Sequence, residues 1–452
     1  MNIVVVGVGS VGLELVEQLI LEGHSITVID TEQDNVQRAV NMFDVKGFVG
    51  NGGSLDTLLE AGISKADLFI AVSEKDEINV LACMVAKSIG IQHTVARVRN
   101  PEFSSMANEK NNIGISLMVN PEYQVSEEIL SLLQLPSAIN IHTFSEGIAD
   151  LVETRITRDS VLHGVMLKDL HLYVKQRILV CAVLRDGKVI IPDGNFKLHE
   201  NDIIYFTATE KDIRDLFKSL KLNKKTRNIF IAGGSKITYY LAKGLDKMGY
   251  NVKVVSSNKE DCKFLSDNLQ RVDVINADPT DQAMLNSEGY YNADAFISLT
   301  NNDETNIMLS VNAASNGVKK VITKVDNESY VRMSETNRLG ALDSIISPKS
   351  STAQQIVRYV RSFTGEQDNI VKTLYKIYDD KAEALEFTAG ETFGALNTPI
   401  KDISFKNNVL ISGIIRDEEF ILPSGNDVIK AGDTVIVVTT IKFFDDLNDI
   451  LN

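Results

Sequence analysis

The chain has no tryptophan, only three cysteines, a deficit of positive charge, and no apolar run near the ~18–20 residues that a membrane-spanning helix needs. Cys83, Cys181 and Cys262 lie far apart without a C-x-x-C pair. That spacing excludes a secretory disulfide framework and reads as three reduced thiols of a cytoplasmic protein. The six histidines, His24, His93, His142, His163, His171 and His199, are scattered, and none has H-x-x-x-H spacing beside carboxylates, so no metal site is expected. Against 61 acidic residues stand 46 Lys and Arg, a net charge of −15. This argues against broad electrostatic binding to nucleic acid or anionic lipid, and leaves room for a basic protein partner. Residues 2–6 (NIVVV) already read as a buried strand, which leaves no place for a signal peptide.

What is present is enough to fold. With 44% hydrophobic and 24% charged residues, global disorder is excluded, and 452 residues correspond to about two to four domains. An internal repeat sets their arrangement. Asp67-Leu68-Phe69-Ile70-Ala71-Val72-Ser73 recurs as Asp294-Ala295-Phe296-Ile297-Ser298-Leu299-Thr300, at an offset of 227 residues. At the same offset Glu77-Ile78-Asn79 meets Glu304-Thr305-Asn306, and Arg97-Val98 meets Lys324-Val325. Upstream the offset is 226 (Gly7 with Gly233); downstream it is 231, where Arg185-Asp186 meets Arg416-Asp417 and Asp202 meets Asp433. One unit of about half the length has been duplicated.

Each unit divides again. Apolar β-branched runs at 2–6, 26–30, 45–49, 67–72, 94–98 and 115–119 alternate with helically spaced segments such as Leu13, Val16 and Ile20, or Val80 and Met84. Near-continuous apolar strands imply a parallel sheet covered on both faces, and right-handed crossovers make it doubly wound. Residues 138–222 read as a small α+β module: a hairpin turning at Asp186-Gly187, a strand at 202–207 and an amphipathic helix near 211–220. The expected division is 1–134, 138–222, 223–360 and 365–452, with Leu135-Pro136-Ser137 and the Lys221–Arg227 stretch as junctions.

Gly7-Val8-Gly9-Ser10-Val11-Gly12 is a G-x-G-x-x-G turn placed between the first strand and the first helix. Gly7 suits a tight turn, Gly9 lets a pyrophosphate approach the backbone, and Gly12 allows close helix–strand packing. The helix start offers free N–H groups to the phosphates. Asp30 ends the second strand; a carboxylate there accepts ribose hydroxyls and repels a 2′-phosphate, which favours NAD(H) or another nucleotide with a free ribose over NADP. The plainer reading is that the glycines serve packing alone.

Other candidates stand at carboxyl ends of later strands: Asn51 and Gly52, Ser73 and Glu74, and Arg97, which suits a phosphate or an adenine face. Against these, Ser73 would cap the next helix and Arg97 would pair with Glu77 or another acid. The second copy has Gly233, Ser235 and Thr238 for the three glycines, Lys236 in the turn, and Ser256 for Asp30. Its region around Gly233, Gly234 and Ser256 is therefore either a scaffold or a site for a different anionic ligand.

On these features the chain resembles the TrkA family, cytosolic regulatory subunits of Trk/Ktr-type bacterial potassium uptake systems built from tandem RCK units. The resemblance spans essentially the whole chain and rests on Gly7–Gly12 with Asp30, the Asp67–Ser73 run with Glu77 and Asn79, Arg97-Val98, and the paired Arg-Asp turns of the small modules. It implies two Rossmann-like doubly wound parallel-sheet domains (RCK-N), each followed by a small α+β RCK-C, or TrkA-C, domain. By position, Gly7–Val11, Asp30, Ser73, Glu74 and Arg97 fall where the family contacts NAD or an adenine nucleotide. Family members often carry Arg or Gln where this chain has Ser10. The resemblance further implies NAD(H) at the first turn, with ATP or ADP as alternatives. Its implied partner is a membrane potassium-transport subunit, beneath which four chains would form a ring of eight RCK units at the inner face of the cell membrane.

Two other functions remain open on the residues alone. An NAD-dependent oxidoreductase needs an acid–base group facing the nicotinamide. The module at 138–222 offers only isolated His163, His171 and His199, and 365–452 contains no histidine. A structural ring protein with vestigial nucleotide sites is the third reading.

Overall fold

The computed structural model describes the chain except residues 101–113, 136, 221–226, 336–341, 343, 365–368, 370, 379–380, 443 and 445. The expected junctions at Pro136 and at 221–226, and the expected limit at 365, lie outside the described residues. No described helix is long and apolar enough to cross a membrane.

Strands β1 (Asn2–Val6), β2 (Ser25–Asp30), β3 (Lys46–Val49), β4 (Leu68–Ala71), β5 (His93–Arg97) and β6 (Leu117–Val119) form a parallel sheet in the order β3-β2-β1-β4-β5-β6. The central strands β1 and β4 are near-continuously apolar because both faces are covered. Ile3 and Val5 point into one layer with Leu15, Val16 and Leu19 of helix Ser10–Leu21. Val4 and Val6 point into the other, with Leu58, Ala82, Cys83 and Ala86. Each such fully buried aliphatic side chain contributes about 1.5–3 kcal/mol. Met84, whose spacing suggested an apolar face, is 45% exposed on helix Asp76–Ile89.

Strands β7 (Ala138–Phe144), β8 (Ala149–Arg155), β9 (Leu179–Arg185), β10 (Lys188–Ile190) and β11 (Ile203–Ala208) make an antiparallel sheet in the order β10-β9-β11-β8-β7. The expected hairpin is there, with Asp186 at φ 52° and Gly187 at φ 74°, the two positive values of a type I′ turn. Helix Glu210–Ser219 follows. Arg185 grips Asp202 through Nε (2.8 Å) and Nη2 (2.6 Å), a bidentate pair that closes the module.

Both arrangements recur. The second parallel sheet, in the order β14-β13-β12-β15-β16-β17, comprises β12 (Asn228–Ala232), β13 (Asn251–Ser256), β14 (Val272–Asn276), β15 (Ala295–Ser298), β16 (Lys320–Lys324) and β17 (Ser344–Ile346). The second antiparallel sheet has β18 (Val371–Ile377), β19 (Ala382–Thr388), β20 (Val409–Arg416), β21 (Glu419–Ile421) and β22 (Thr434–Thr439), in the order β18-β19-β22-β20-β21. Arg416 grips Asp433 as Arg185 grips Asp202. Among the described residues, helix Glu210–Ser219 has no counterpart: the second module ends in a 3-10 turn, Leu447–Ile450, held by a capping box from Asp446 and Asp449.

The chain groups into two compact units, Met1–Glu127 with Ile346–Val360, and Glu128–Ile345 with Arg361–Asn452. In the first, Ala353, Ile356, Val357 and Val360 of helix Pro348–Thr364 fill the layer over β1 and β4. In the second, the two antiparallel sheets share a core of Phe144, Leu151 and Tyr205 with Tyr375, Ile377 and Ile436. The Tyr375 hydroxyl donates to the Thr143 carbonyl at 2.6 Å.

Candidate functional site

The carboxyl edge of the first parallel sheet gathers the sequence candidates. Gly7 takes φ +88°, and a Cβ on it would lie 2.5 Å from the Ser73 nitrogen; backbone approach and a left-handed φ both require glycine there. A Cβ on Gly12 would lie 2.0 Å from the Gly7 carbonyl oxygen, so Gly12 serves packing. Gly9 is different. Its φ of −68° is open to any residue, and a Cβ on it would meet nothing within 4 Å. Packing therefore gives no reason for a glycine at position 9, whereas a ligand lying over the turn does. Val8 and Val11 are buried beneath the turn, and Ser10, the first residue of helix Ser10–Leu21, is exposed.

Asp30 is half-buried at the end of β2. Its Oδ2 accepts the Val8 N–H at 2.8 Å, and its Oδ1 accepts the Glu32 N–H at 2.9 Å. The carboxylate thus holds the turn against the neighbouring strand. An ionised carboxylate has about four acceptor positions, so capacity remains for ribose hydroxyls.

Beyond β3, the exposed Asn51 accepts the Gly53 N–H through Oδ1 at 2.9 Å. Gly52 is buried, with room for no Cβ: Val6 Cγ1 would be 2.2 Å away. At the end of β4, Ser73 does not cap the next helix, whose N-cap is Lys75. Its N–H and hydroxyl both donate to Asn79 Oδ1, at 2.9 and 2.7 Å. Asn79 Nδ2 donates back to the carbonyls of Ser73 and Arg97, at 3.0 and 2.9 Å. This carboxamide, 0% exposed, ties the ends of β4 and β5 together. Glu74 is exposed beside it.

Arg97 makes no pair with the exposed Glu77. Burial, then repulsion from Arg99, pulls its guanidinium below the ordinary value, opposed by attraction to Glu122, Asp76 and Glu74. Its Nε is buried without a hydrogen-bond partner among the described residues. A planar cation with its Nε–H unpaired suits an anionic or aromatic ligand surface. Sequence reasoning missed the frame around it. Asp76 Oδ2 accepts the N–H groups of Arg99 and Asn100, at 2.9 and 2.7 Å, and Arg99 Nε donates to Glu122 Oε1 at 2.5 Å. The repeat had marked Asn79 through Asn306, but gave no sign of its task.

At the second turn a hydroxymethyl replaces the open position: Ser235 Oγ is buried and makes no hydrogen bond among the described residues. Thr238 Oγ1 donates to the Gly233 carbonyl at 2.7 Å, and Ser256 is buried at the position of Asp30. Among the described residues no group of three or more His, Cys, Asp or Glu is arranged to hold a metal ion.

A parallel sheet in this order, with a glycine turn and a carboxylate at the ends of its first two strands, defines a Rossmann-type fold of the dinucleotide-binding kind. The TrkA-N domain matches residues 3–121 and 229–348, and the TrkA-C domain matches residues 151–221 and 385–452. The chain belongs to the TrkA family. It is 32% identical over 447 residues to the Trk system potassium uptake protein TrkA of Halomonas elongata, covering 97% of this chain and 95% of that one. To a TrkA homolog 2 of Methanosarcina mazei it is 30% identical over 447 residues, covering 97% of each. Among solved structures, the GsuK channel bound to NAD superposes with a TM-score of 0.62 at 15% identity, over 97% of this chain and 76% of that one. That likeness is one of fold.

Proposed function

We propose that the chain is a nucleotide-sensing, non-catalytic regulatory subunit that gates a membrane potassium uptake transporter or channel, with NAD(H) held at the first Rossmann turn and ATP or ADP as competing occupants. The regulatory role in potassium transport accords with membership of the TrkA family and with the names of its relatives. The observation that carries the nucleotide assignment is Gly9: an open, unstrained position where packing demands no glycine and a ligand over the turn would.

The residues fit such a ligand. The pyrophosphate lies across Gly9 onto the free N–H groups at the start of helix Ser10–Leu21, the ribose hydroxyls donate to Asp30, and Arg97 faces phosphate or adenine. The ligand acts as a signal: it shifts the protein between states only as far as it binds them unequally. The subunit works beneath its membrane partner as a ring of four chains, eight tandem units in all. Its acidic surface suits the Lys/Arg-rich cytoplasmic loops of membrane proteins.

Calorimetric titration of the full chain with NADH, ATP and ADP tests the reading, alongside light scattering for the tetramer and potassium flux into vesicles carrying the transport subunit. Binding of at least one nucleotide, with a change in flux, is expected. No binding at millimolar nucleotide removes the site, and steady turnover of NADH with a carbonyl substrate restores the oxidoreductase.

A further inference from the structure

The first turn is short of positive charge. Gly7–Gly12 contains no basic side chain, whereas the second copy has Lys236 at the position of Ser10. Asp30, Glu14 and Glu74 all add negative charge around the edge that a pyrophosphate would occupy.

Helix Pro348–Thr364 follows the second parallel sheet in sequence, yet its apolar residues pack over the first. Its second residue, Lys349, places Nζ 2.9 Å from Glu14 Oε2, with the side chains only 22% and 16% exposed. Glu14 stands four residues after Ser10 on helix Ser10–Leu21, so the two share one face, with Cβ atoms about 5–6 Å apart. The ammonium is thereby paired with a carboxylate one helical turn from Ser10, on a flexible stem with three donors.

We propose that Lys349 is the phosphate-binding cation of the first turn, exchanging its ion pair with Glu14 for the phosphates of a bound nucleotide. This rests on the nucleotide reading of Gly7–Gly12. Lys349 supplies from the second repeat the charge that Ser10 does not supply from the first. Glu14 holds it ready and competes for it. Occupancy of the turn is thus linked to helix Pro348–Thr364, and by reciprocity whatever shifts that helix changes nucleotide affinity by the same factor.

The test titrates the full chain and its Lys349→Met, Lys349→Arg and Glu14→Gln variants with ADP and with adenosine, at low and high salt. Lys349→Met should weaken ADP about tenfold and flatten its salt dependence, with adenosine unchanged within about twofold. Lys349→Arg should stay within about threefold of wild type, and Glu14→Gln should tighten ADP by about two- to fivefold. Lys349→Met binding ADP like wild type overturns the proposal. So does an equal weakening by Lys349→Met and Glu14→Gln, the mark of a structural brace. A wild-type chain that binds neither ADP nor NADH overturns the nucleotide reading and this inference together; thermal denaturation of each variant separates loss of fold from loss of contact.

Discussion

Substituting Gly9 by alanine adds one carbon at the point where packing and binding make opposite demands. At φ −68° and ψ −159° the backbone accepts any residue, and the new Cβ meets no protein atom within 4 Å. Stability should therefore change by no more than about 1 kcal/mol, the scale of a Gly-to-Ala exchange at a helix N-cap. Binding is another matter, because on the proposed reading the methyl group would stand in the path of the pyrophosphate. Losing one charge-assisted hydrogen bond costs about 1.5–3 kcal/mol, or roughly ten- to 150-fold in affinity. Gly12→Ala supplies the contrast: its Cβ would sit 2.0 Å from the Gly7 carbonyl oxygen, which forces the helix off the strand and costs on the order of 2–4 kcal/mol. Titration with NADH and ADP beside thermal denaturation reads both quantities. Gly9→Ala binding within threefold of wild type at an unchanged melting temperature would refute the assignment of the turn as the site.

Three further outcomes follow from the buried polar groups and one turn. Asn79→Ala deletes four hydrogen bonds of a fully buried carboxamide and should cost about 3–4 kcal/mol, weakening nucleotide binding as the ends of β4 and β5 loosen; a wild-type urea midpoint would show that the clamp is not structural. Burial raises the Asp150 carboxyl from 3.8 to about 6, against a hydrogen bond from Thr143 and with repulsion from Glu210. The folded chain then holds this proton more tightly than the unfolded one, so the contribution is present below pH ~4 and lost as pH rises through ~6. Asp150→Asn should flatten that slope and stabilise at pH 7 by up to about 3 kcal/mol, and an unaltered pH profile of stability would sink the argument. Glu418 holds φ 63° where the first copy has Gly187, so Glu418→Gly should stabilise by roughly 0.5 kcal/mol in urea denaturation; a loss of stability would show that the side chain, not the strain, decides.

The parallel sheets were legible because strands covered on both faces carry near-continuous apolar runs, and β1, β2 and β4 stand within a residue or two of their expected limits. Strands β7 and β8 escaped sequence reading. They carry Asn140, His142, Thr143, Asp150 and Glu153 among their apolar residues, and polar groups such as Asp150 and Thr154 are buried there. Periodicity cannot foresee a polar residue that finds its partner on the neighbouring strand, as Asp150 finds the Thr143 hydroxyl. Nor does a helical period say which sheet an apolar face covers, so the seat of helix Pro348–Thr364 over the first sheet, and with it Lys349, was invisible. At the site, Gly7, Gly12 and Asp30 were read from spacing alone. The Asn79 clamp showed only as an unexplained match to Asn306.

The duplication also works as an internal control on function. Both copies build the same six-stranded order, so a residue present in only one copy is not demanded by that strand order. Asn306 repeats the Asn79 clamp on Thr300 and Lys324, at 2.7 to 3.1 Å, and Asp303 repeats Asp76 by accepting the N–H groups of Asp326 and Asn327. These are fold requirements, and they account for the hydroxyl at position 73 without any ligand. Gly9 and Asp30 behave otherwise, whereas Gly12 is kept by the close approach of the Gly7 carbonyl. The second sheet forms with Ser235, Thr238 and Ser256 in their places, Thr238 even returning a hydrogen bond to the Gly233 carbonyl. What the first copy keeps beyond the second is therefore an open turn, a carboxylate beside it and Arg97 in place of Lys324, the set on which the proposed nucleotide reading rests.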